Sequence, residues 1–338
     1  MAGPLIGKER AKSDLTAGAL ITVFGGSGFL GNHVVQALGR RGYRIRVAVR
    51  QPHTALYLKT SGGVGQIEPV QANIRDDASV AAAVAGASAV INLVGILFES
   101  GKQSFDSVQV EGAARVARAA KAAGVPVFIQ MSSLGADANS ASDYSVSKAA
   151  GEAAVRAIYP QAVILRPSVV FGPDDDFFNR FAGLARIMPV LPLIEGATRL
   201  QPVYVKDVAE AVVRAVENDT FDGKVMELGG PAVLTMRAIW EQVLRVIRRK
   251  RILLPVPRFI ARLQALVLQF LPTPPLTPDQ LRALCVDNVV SEEAIAEGRT
   301  LQGFGIVPTS TDVILPSYLT RFRKRGQFEP GAEPLAQD

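Results

Sequence analysis

Short β-branched runs alternating with Ala-rich helical stretches, and a glycine-rich turn directly behind the first run, predict an α/β fold. It is built on a doubly wound parallel sheet, with a smaller, mainly helical C-terminal region. The runs are LITVF (20–24), RIRVAV (44–49), IEPVQ (67–71), AVINLV (89–94), VFIQMS (127–132) and AVILR (162–166). They are almost continuously apolar, so both faces of the sheet need cover, which parallel strands obtain from the helices that cross between them. NHVVQALGRRG, DASVAAAVAG, VEGAARVARAAKAAG and SKAAGEAAVRAI supply those crossovers. Each has apolar residues spaced for one buried face, and glycine stands at several of their ends.

After about residue 170 the rhythm breaks. Prolines at 173, 189, 192 and 202 surround FFNRFAGLARIMPVLPLI, which reads as a helix and a loop lying over the sheet. PVYVKDVAEAVVRAVEN reads as a last sheet-like piece, followed by KVMELGG. From Met236 an amphipathic helix ends in RVIRRKR, and PVPRFIARLQALVLQFLPTPP and a mixed tail follow. LPTPPLTP (271–278) reads as a stiff linker or turn cluster.

Composition narrows the chemistry. With 338 residues, 48% of them apolar, the chain can bury one large core or one core plus a smaller lobe. The single cysteine, Cys285, excludes an internal disulfide, and one cysteine with two histidines is too few for an ordinary zinc site. The first twenty residues lack the layout of a signal or transit peptide, and no uninterrupted apolar run reaches about 18 residues. The net charge of +6 is unevenly placed: between 237 and 262, Arg237, Arg245, Arg248, Arg249, Lys250, Arg251, Arg258 and Arg262 stand against Glu241 alone. Such a cluster meets phosphates or an acidic face, or is a solvated helix side. No aromatic residues interleave the RRKR run (248–251), which argues against nucleic acid.

VFGGSGFLG follows the first strand and opens the first helix. Gly25, Gly28 and Gly31 form G-x-x-G-x-x-G, and Gly26, Gly28 and Gly31 also satisfy G-x-G-x-x-G, with Ser27, Phe29 and Leu30 between them. Glycine is needed because the turn is tight, the backbone must approach a pyrophosphate, and the helix packs close to the strand. The pattern therefore predicts a Rossmann-type dinucleotide-binding domain over 18–235, preceded by an N-terminal tail (1–17) and followed by a C-terminal region (236–338). An NAD site usually has a carboxylate at the end of the second strand, but here Arg50 stands there. A guanidinium suits a 2′-phosphate, so NADPH (NADP⁺) is favoured.

Tyr144 and Lys148 lie one helical turn apart in DYSVSKAAGEAAV, so both face the same way. An ammonium beside a phenol favours the phenolate, as acid/base work at a carbonyl requires, and the Ser133 hydroxyl could hold the substrate oxygen.

With the glycine turn and Y-x-x-x-K, LRPSVVFGP (165–173) and VYVKDVAEA (203–211) make the chain resemble the short-chain dehydrogenase/reductase superfamily in its extended or atypical branch, over about residues 18–230. The resemblance implies that Ser133, Tyr144 and Lys148 match the catalytic triad, that Lys148 also binds the nicotinamide ribose, and that Asn73, Ile74, Val94, Gly95, Ser132 and Pro167 join the cofactor site. Two departures stand out: Asn73 replaces the usual acidic residue after the third strand, and NLVG (92–95) replaces an N-N-A-G-type stretch. These, with VFGGSGFLG, KAAGE and RPSVVFG, are similar to the NADPH-binding accessory subunits of respiratory complex I (NADH:ubiquinone oxidoreductase). That resemblance implies tightly held NADPH without turnover, other complex I subunits as partners, and a peripheral place on the cytoplasmic face of a bacterial inner membrane, or on the matrix side of the mitochondrial inner membrane. The alternative is an active, membrane-associated NADPH-dependent reductase or epimerase using Ser133, Tyr144 and Lys148.

Residues 257–272 place Phe259, Leu263, Leu266 and Phe270 on one face, joined by Ile260 and Val267. Either these pack on the body of the protein, or the segment lies in a membrane interface with anionic lipid near Arg248–Arg251 and Arg258–Leu271.

Overall fold

The computed structural model describes residues 15–271 and 274–326; most of the N-terminal tail and part of the Pro-rich linker lie outside the described residues. Strands β1 (Leu20–Phe24), β2 (Arg44–Val49), β3 (Ile67–Gln71), β4 (Ala89–Asn92), β5 (Val127–Met131) and β6 (Val163–Pro167) fall where the apolar runs predict them. Between them lie α1 (Phe29–Arg40), α2 (Asp77–Val84), α3 (Glu111–Ala122) and α4 (Asp143–Ile158). The chain continues through β7 (Val170–Phe171), α5 (Phe177–Ile187), β8 (Val190–Leu193), β9 (Arg199–Leu200), β10 (Val203–Tyr204), α6 (Val205–Glu217) and β11 (Val225–Leu228). It ends with β12 (Leu234–Thr235), α7 (Met236–Val246), β13 (Ile252–Pro255), α8 (Arg258–Leu268), α9 (Pro278–Leu284), α10 (Glu292–Ala296) and α11 (Thr311–Leu319).

Seven strands form one sheet in the order β11-β6-β5-β4-β1-β2-β3. Pairing is parallel from β3 through to β6, and the backbone bonds Ile164 N to Lys224 O and Ser168 N to Leu228 O carry the same direction to β11. Strand order reverses beside β1: the chain runs outward to β2 and β3 and then returns to β4 on the other side. In open α/β sheets, ligands bind outside the carboxyl ends of strands at such a switch point.

Contacts group the chain into two units. The first holds the described residues as far as Ser132, with Ser147–Leu165 and Ala209–Val225; the second holds Ser133–Val146, Arg166–Val208 and the described residues from Met226. Phe24, Val80, Val90, Val116, Phe128 and Ile164 lie in the core of the first. Polar groups enter that unit's interior satisfied: Thr22, fully buried, donates its hydroxyl to Ala83 O at 2.8 Å, and Asn92, also fully buried, donates to Gln130 Oε1 at 2.9 Å.

In the second unit two buried carboxylates organise loops. Asp175 accepts from the amides of Gly172, Phe178 and Asn179 and from the Tyr318 hydroxyl, at 2.6 to 3.0 Å. Asp207 accepts from Thr309, both amide (2.7 Å) and hydroxyl (3.0 Å). Burial pushes both carboxyls above their ordinary range against the pull of these donors.

One expectation changes. Only Val203 and Tyr204 of the presumed sheet-like piece are strand; Val205–Glu217 is helix α6, and Val205, Val208, Ala209, Val212, Val213 and Val216 are buried at spacings of three and four. The β-branched content suggested a strand, but the helical period decided. Of the two readings left open for 257–272, packing on the body is the one set aside: the buried side chains of α8 are Ala261 and Ala265, while Phe259 (72%), Leu263 (65%) and, just beyond the helix, Phe270 (84%) are exposed. Its large apolar residues do not pack on the body of the protein. The smaller side chains permit close approach at the helix's inner face, and the larger ones are left outside.

The start of α8 is fixed by Arg258, whose Nε and Nη2 donate to the two carboxylate oxygens of Glu195 at 2.5 and 2.9 Å. Arg258 holds the Glu195 carboxyl below the usual carboxylate range. A depressed carboxylate contributes stability that is present above its unfolded value and lost as pH falls through its folded value. Stability curves of wild type and Glu195→Gln are therefore expected to converge in acid and separate as pH rises to neutrality, as measured by urea unfolding across pH.

Candidate functional site

The glycine turn leaves β1 beside both neighbours of that strand. Gly25 donates its amide to Ala48 O at 3.1 Å and has φ +77, a region that costs glycine little. A Cβ on Gly31 would lie 2.3 Å from Gly25 O and 2.7 Å from the Gly26 backbone, so the first turn of α1 rests directly on the strand-to-helix turn. Gly28 is the N-cap and offers no side-chain acceptor, and the first turn of α1 holds no acidic residue. The helix therefore presents its amides and the positive end of its dipole, the arrangement that receives an anion. Above Ser27, the Tyr57 hydroxyl donates to the Ser27 carbonyl at 3.2 Å.

The neighbouring strand ends carry the other expected residues. Arg50, directly after β2, is exposed and donates to Gln103 Oε1 at 2.8 Å. Asn73 donates its amide to Ser79 Oγ (2.9 Å) and accepts the Arg75 amide on Oδ1 (3.1 Å), ordering the turn into α2. Ile74 is buried, and its carbonyl accepts from Arg115. Val94 lies against the glycine turn, with Cγ2 3.2 Å from where a Gly25 Cβ would stand. At Gly95 the nearest atom to such a Cβ is Lys148 Nζ, at 3.1 Å. The first unit thus brings Gly25, Val94, Gly95 and Lys148 into one continuous run.

Lys148 is buried, and Tyr144 stands one turn before it on the same helix, α4; the grouping of the chain into two units falls between them. Ser132 Oγ and Ser133 Oγ are both buried without a hydrogen-bond partner among the described residues. A buried unpaired hydroxyl costs roughly 1–3 kcal/mol and is a mark of function when it recurs at a site. In the second unit Pro167 accepts the Leu134 amide at 2.9 Å, next to Ser133.

Sequence reasoning missed Asp279. Its carboxylate accepts the amides of Asp143 (2.6 Å) and Tyr144 (3.1 Å) and the Ser142 hydroxyl (2.9 Å), capping the helix that carries the Tyr–Lys pair. The local signal in LTPDQL is a capping box for α9, with Thr277 and Gln280 reciprocally bonded; nothing local announces a contact across more than a hundred residues. Gln103 and Arg75 were missed as well; the Arg75 guanidinium donates to Lys102 O at 2.8 Å.

The model of the NAD dependent epimerase/dehydratase family matches residues 21–229. The chain belongs to that family. It is 35% identical to the mitochondrial NADH dehydrogenase [ubiquinone] 1 alpha subcomplex subunit 9 of Arabidopsis thaliana, over 96% of this chain and 83% of that protein. It is also 35% identical to a ceramide reductase of Caulobacter vibrioides, over 58% of this chain and 61% of that protein. Among solved structures, a UDP-glucuronic acid 4-epimerase variant from Bacillus cereus, in complex with UDP-4-deoxy-4-fluoro-glucuronic acid and NAD, superposes with a TM-score of 0.69 at 17% identity, over 90% of this chain and 98% of that chain. That last likeness is one of fold.

The residues of the first unit fit the family's dinucleotide: a cradle with no room for a side chain at Gly31, an acid-free helix start and a Ser132 hydroxyl without a partner among the described residues. Replacing Gly31 by valine forces side-chain atoms into the Gly25 carbonyl, with an expected loss of about 1–3 kcal/mol of stability. Thermal unfolding with and without dinucleotide checks the second consequence: the wild type gains stability with ligand by mass action, and Gly31→Val does not.

Proposed function

We propose that this chain is an accessory NADPH-binding subunit of respiratory complex I, holding its nucleotide without turnover and supporting the complex at the membrane surface. The observation that carries the reading is the reach of the likeness to the Arabidopsis subunit. The family model ends at residue 229, whereas that likeness covers 96% of the chain and so runs through the C-terminal region as well. The partners are the other subunits of the complex. The place is the cytoplasmic face of a bacterial inner membrane, or the matrix side of the mitochondrial inner membrane if the source is eukaryotic.

Within this reading the Gly25–Gly31 turn holds the pyrophosphate, Arg50 the 2′-phosphate, and Lys148 the nicotinamide ribose, with Asn73, Ile74, Val94, Gly95, Ser132, Tyr144 and Pro167 lining the remainder. Peripheral attachment is supported by the outward apolar side of α8. Ile252 (65% exposed) and Leu254 (55%) on β13 belong to the same unit, and Arg248–Arg251 lead directly into that strand. No helix among the described residues is long and apolar enough to cross a membrane. Purification from gently solubilised membranes is expected to bring complex I subunits and NADPH in fixed proportion. A Phe259→Glu/Leu263→Glu variant, altered only at exposed positions, is expected to dissociate from them. Emergence of the wild-type chain alone overturns the reading.

The likeness to a ceramide reductase favours a second reading, an active membrane-associated reductase acting on a lipid ketone. Bound NADPH supplies the hydride in that case. Ser133 Oγ receives the carbonyl oxygen, the Tyr144 phenol delivers the proton, and Lys148 orients the ribose. Substrate-dependent NADPH oxidation with a long-chain ketone lipid is then expected to fall on the order of 10²- to 10⁴-fold in Tyr144→Phe. Under the accessory-subunit reading there is no such oxidation to lose.

A further inference from the structure

Residues 99–104, ESGKQS, form a tight hairpin that no motif announced. Ser100 and Gln103 exchange two backbone hydrogen bonds, each 3.0 Å, around Gly101, which has φ +57. Glu99 Oε1 accepts the Phe105 amide at 2.7 Å, and Phe105 is buried, so the base of the hairpin is fixed to the body of the first unit. The hairpin follows β4, which lies on the opposite side of β1 from β2 and β3. Its tip nevertheless touches residues that follow β2 and β3: Arg50 donates to the Gln103 side chain and Arg75 to the Lys102 carbonyl. It therefore runs along the carboxyl edge of the sheet, the edge that holds the glycine turn.

The partners at this tip are uncharged, as are the Ala83 and Ala85 carbonyls that receive Arg46 in the same unit. Arg41 and Arg115, in the same unit, meet carboxylates at 2.7 to 3.3 Å. Arg50 and Arg75 each meet a neutral oxygen, on two adjacent residues, and neither forms an ion pair among the described residues. Lys102 adds a third positive charge at the same tip. Two guanidinium groups brought to one tip on neutral acceptors repel each other, and a doubly charged oxyanion relieves that repulsion while offering better acceptors than amide oxygens.

Resting on the NADPH reading above, we propose that Arg75 and Lys102 join Arg50 in seating the 2′-phosphate, and that the 99–104 hairpin is a strap across the adenosine end of the dinucleotide. Arg50 exchanges the Gln103 amide oxygen for phosphate oxygen when the ligand enters. Arg75 and Lys102 are then specificity-determining residues, and the ligand group recognised is a ribose 2′-phosphomonoester.

Equilibrium binding of NADPH and NADH to the full-length chain tests this, with Arg50→Gln, Arg75→Gln and Lys102→Gln beside the wild type and inorganic phosphate as competitor. The wild type prefers NADPH, and Arg75→Gln and Lys102→Gln each lower NADPH affinity on the order of tenfold while leaving NADH affinity unchanged. Limited trypsin digestion supplies a readout independent of affinity: saturating NADPH protects the Lys102–Gln103 bond and saturating NADH does not. If Arg50→Gln loses the preference while Arg75→Gln and Lys102→Gln keep it, the strap is overturned and the NADPH reading stands. Equal binding of NADPH and NADH by the wild type overturns both. Competition by inorganic phosphate equal to that by 2′,5′-ADP overturns the assignment to a nucleotide and leaves a free-phosphate site.

Discussion

A backbone contact with no room for one carbon atom governs how this chain uses its sheet. Because Gly31 leaves nothing between the first turn of α1 and the carbonyl of Gly25, the helix begins as close to the end of β1 as covalent geometry allows. Its unpaired amides then sit at the switch point, where β1 parts from β4 and β2. Arg50 follows β2, Asn73 and Ile74 follow β3, and Val94 and Gly95 follow β4, so these residues share the carboxyl edge of the sheet with the glycine turn. Moving α1 outward by the width of a methyl group would separate the dipole from these side chains.

The fold was largely legible in the chain because its information is local. Strands buried on both faces announce themselves as unbroken apolar runs, and each of the six was placed within two residues of its bounds. The turn GGSGFLG was legible for the same reason, since a positive φ at Gly25 and close contacts at Gly26 and Gly31 favour glycine at each. What escaped is information carried over distance. Asp279 caps the helix bearing Tyr144 from far along the chain, and the 99–104 hairpin gains its meaning only when the sheet order brings the ends of β2 and β3 beside it. Residues 203–217 misled for another reason: valine is common to strands and to buried helices, and the spacing of 205, 208, 209, 212, 213 and 216, rather than the composition, carries the distinction.

Helix α8 shows where periodicity stops informing. An apolar stripe says that one side of a helix avoids water, but not what covers it. Here the inward positions are the two alanines at 261 and 265, and the aromatic and leucine side chains face away. Arg258 and Glu195 secure the start of the helix by an ion pair, so its orientation is set by polar geometry rather than by burial of its largest side chains. That is the reverse of how core helices are held.

The interleaving of the two units has a consequence for how the protein is made. The first unit takes segments from three parts of the chain and is completed only when residues as far as Val225 are present. The second closes later still: Asp175 awaits Tyr318, Asp207 awaits Thr309, and Arg249 and Arg323 reach across to the carbonyls of Phe322 and Val246. Until then two carboxylates destined for burial remain in water. On a ribosome, where the N-terminal end emerges first, neither unit can close early. Both therefore wait on late-emerging segments, and the apolar strands go without their final cover over most of the chain's synthesis.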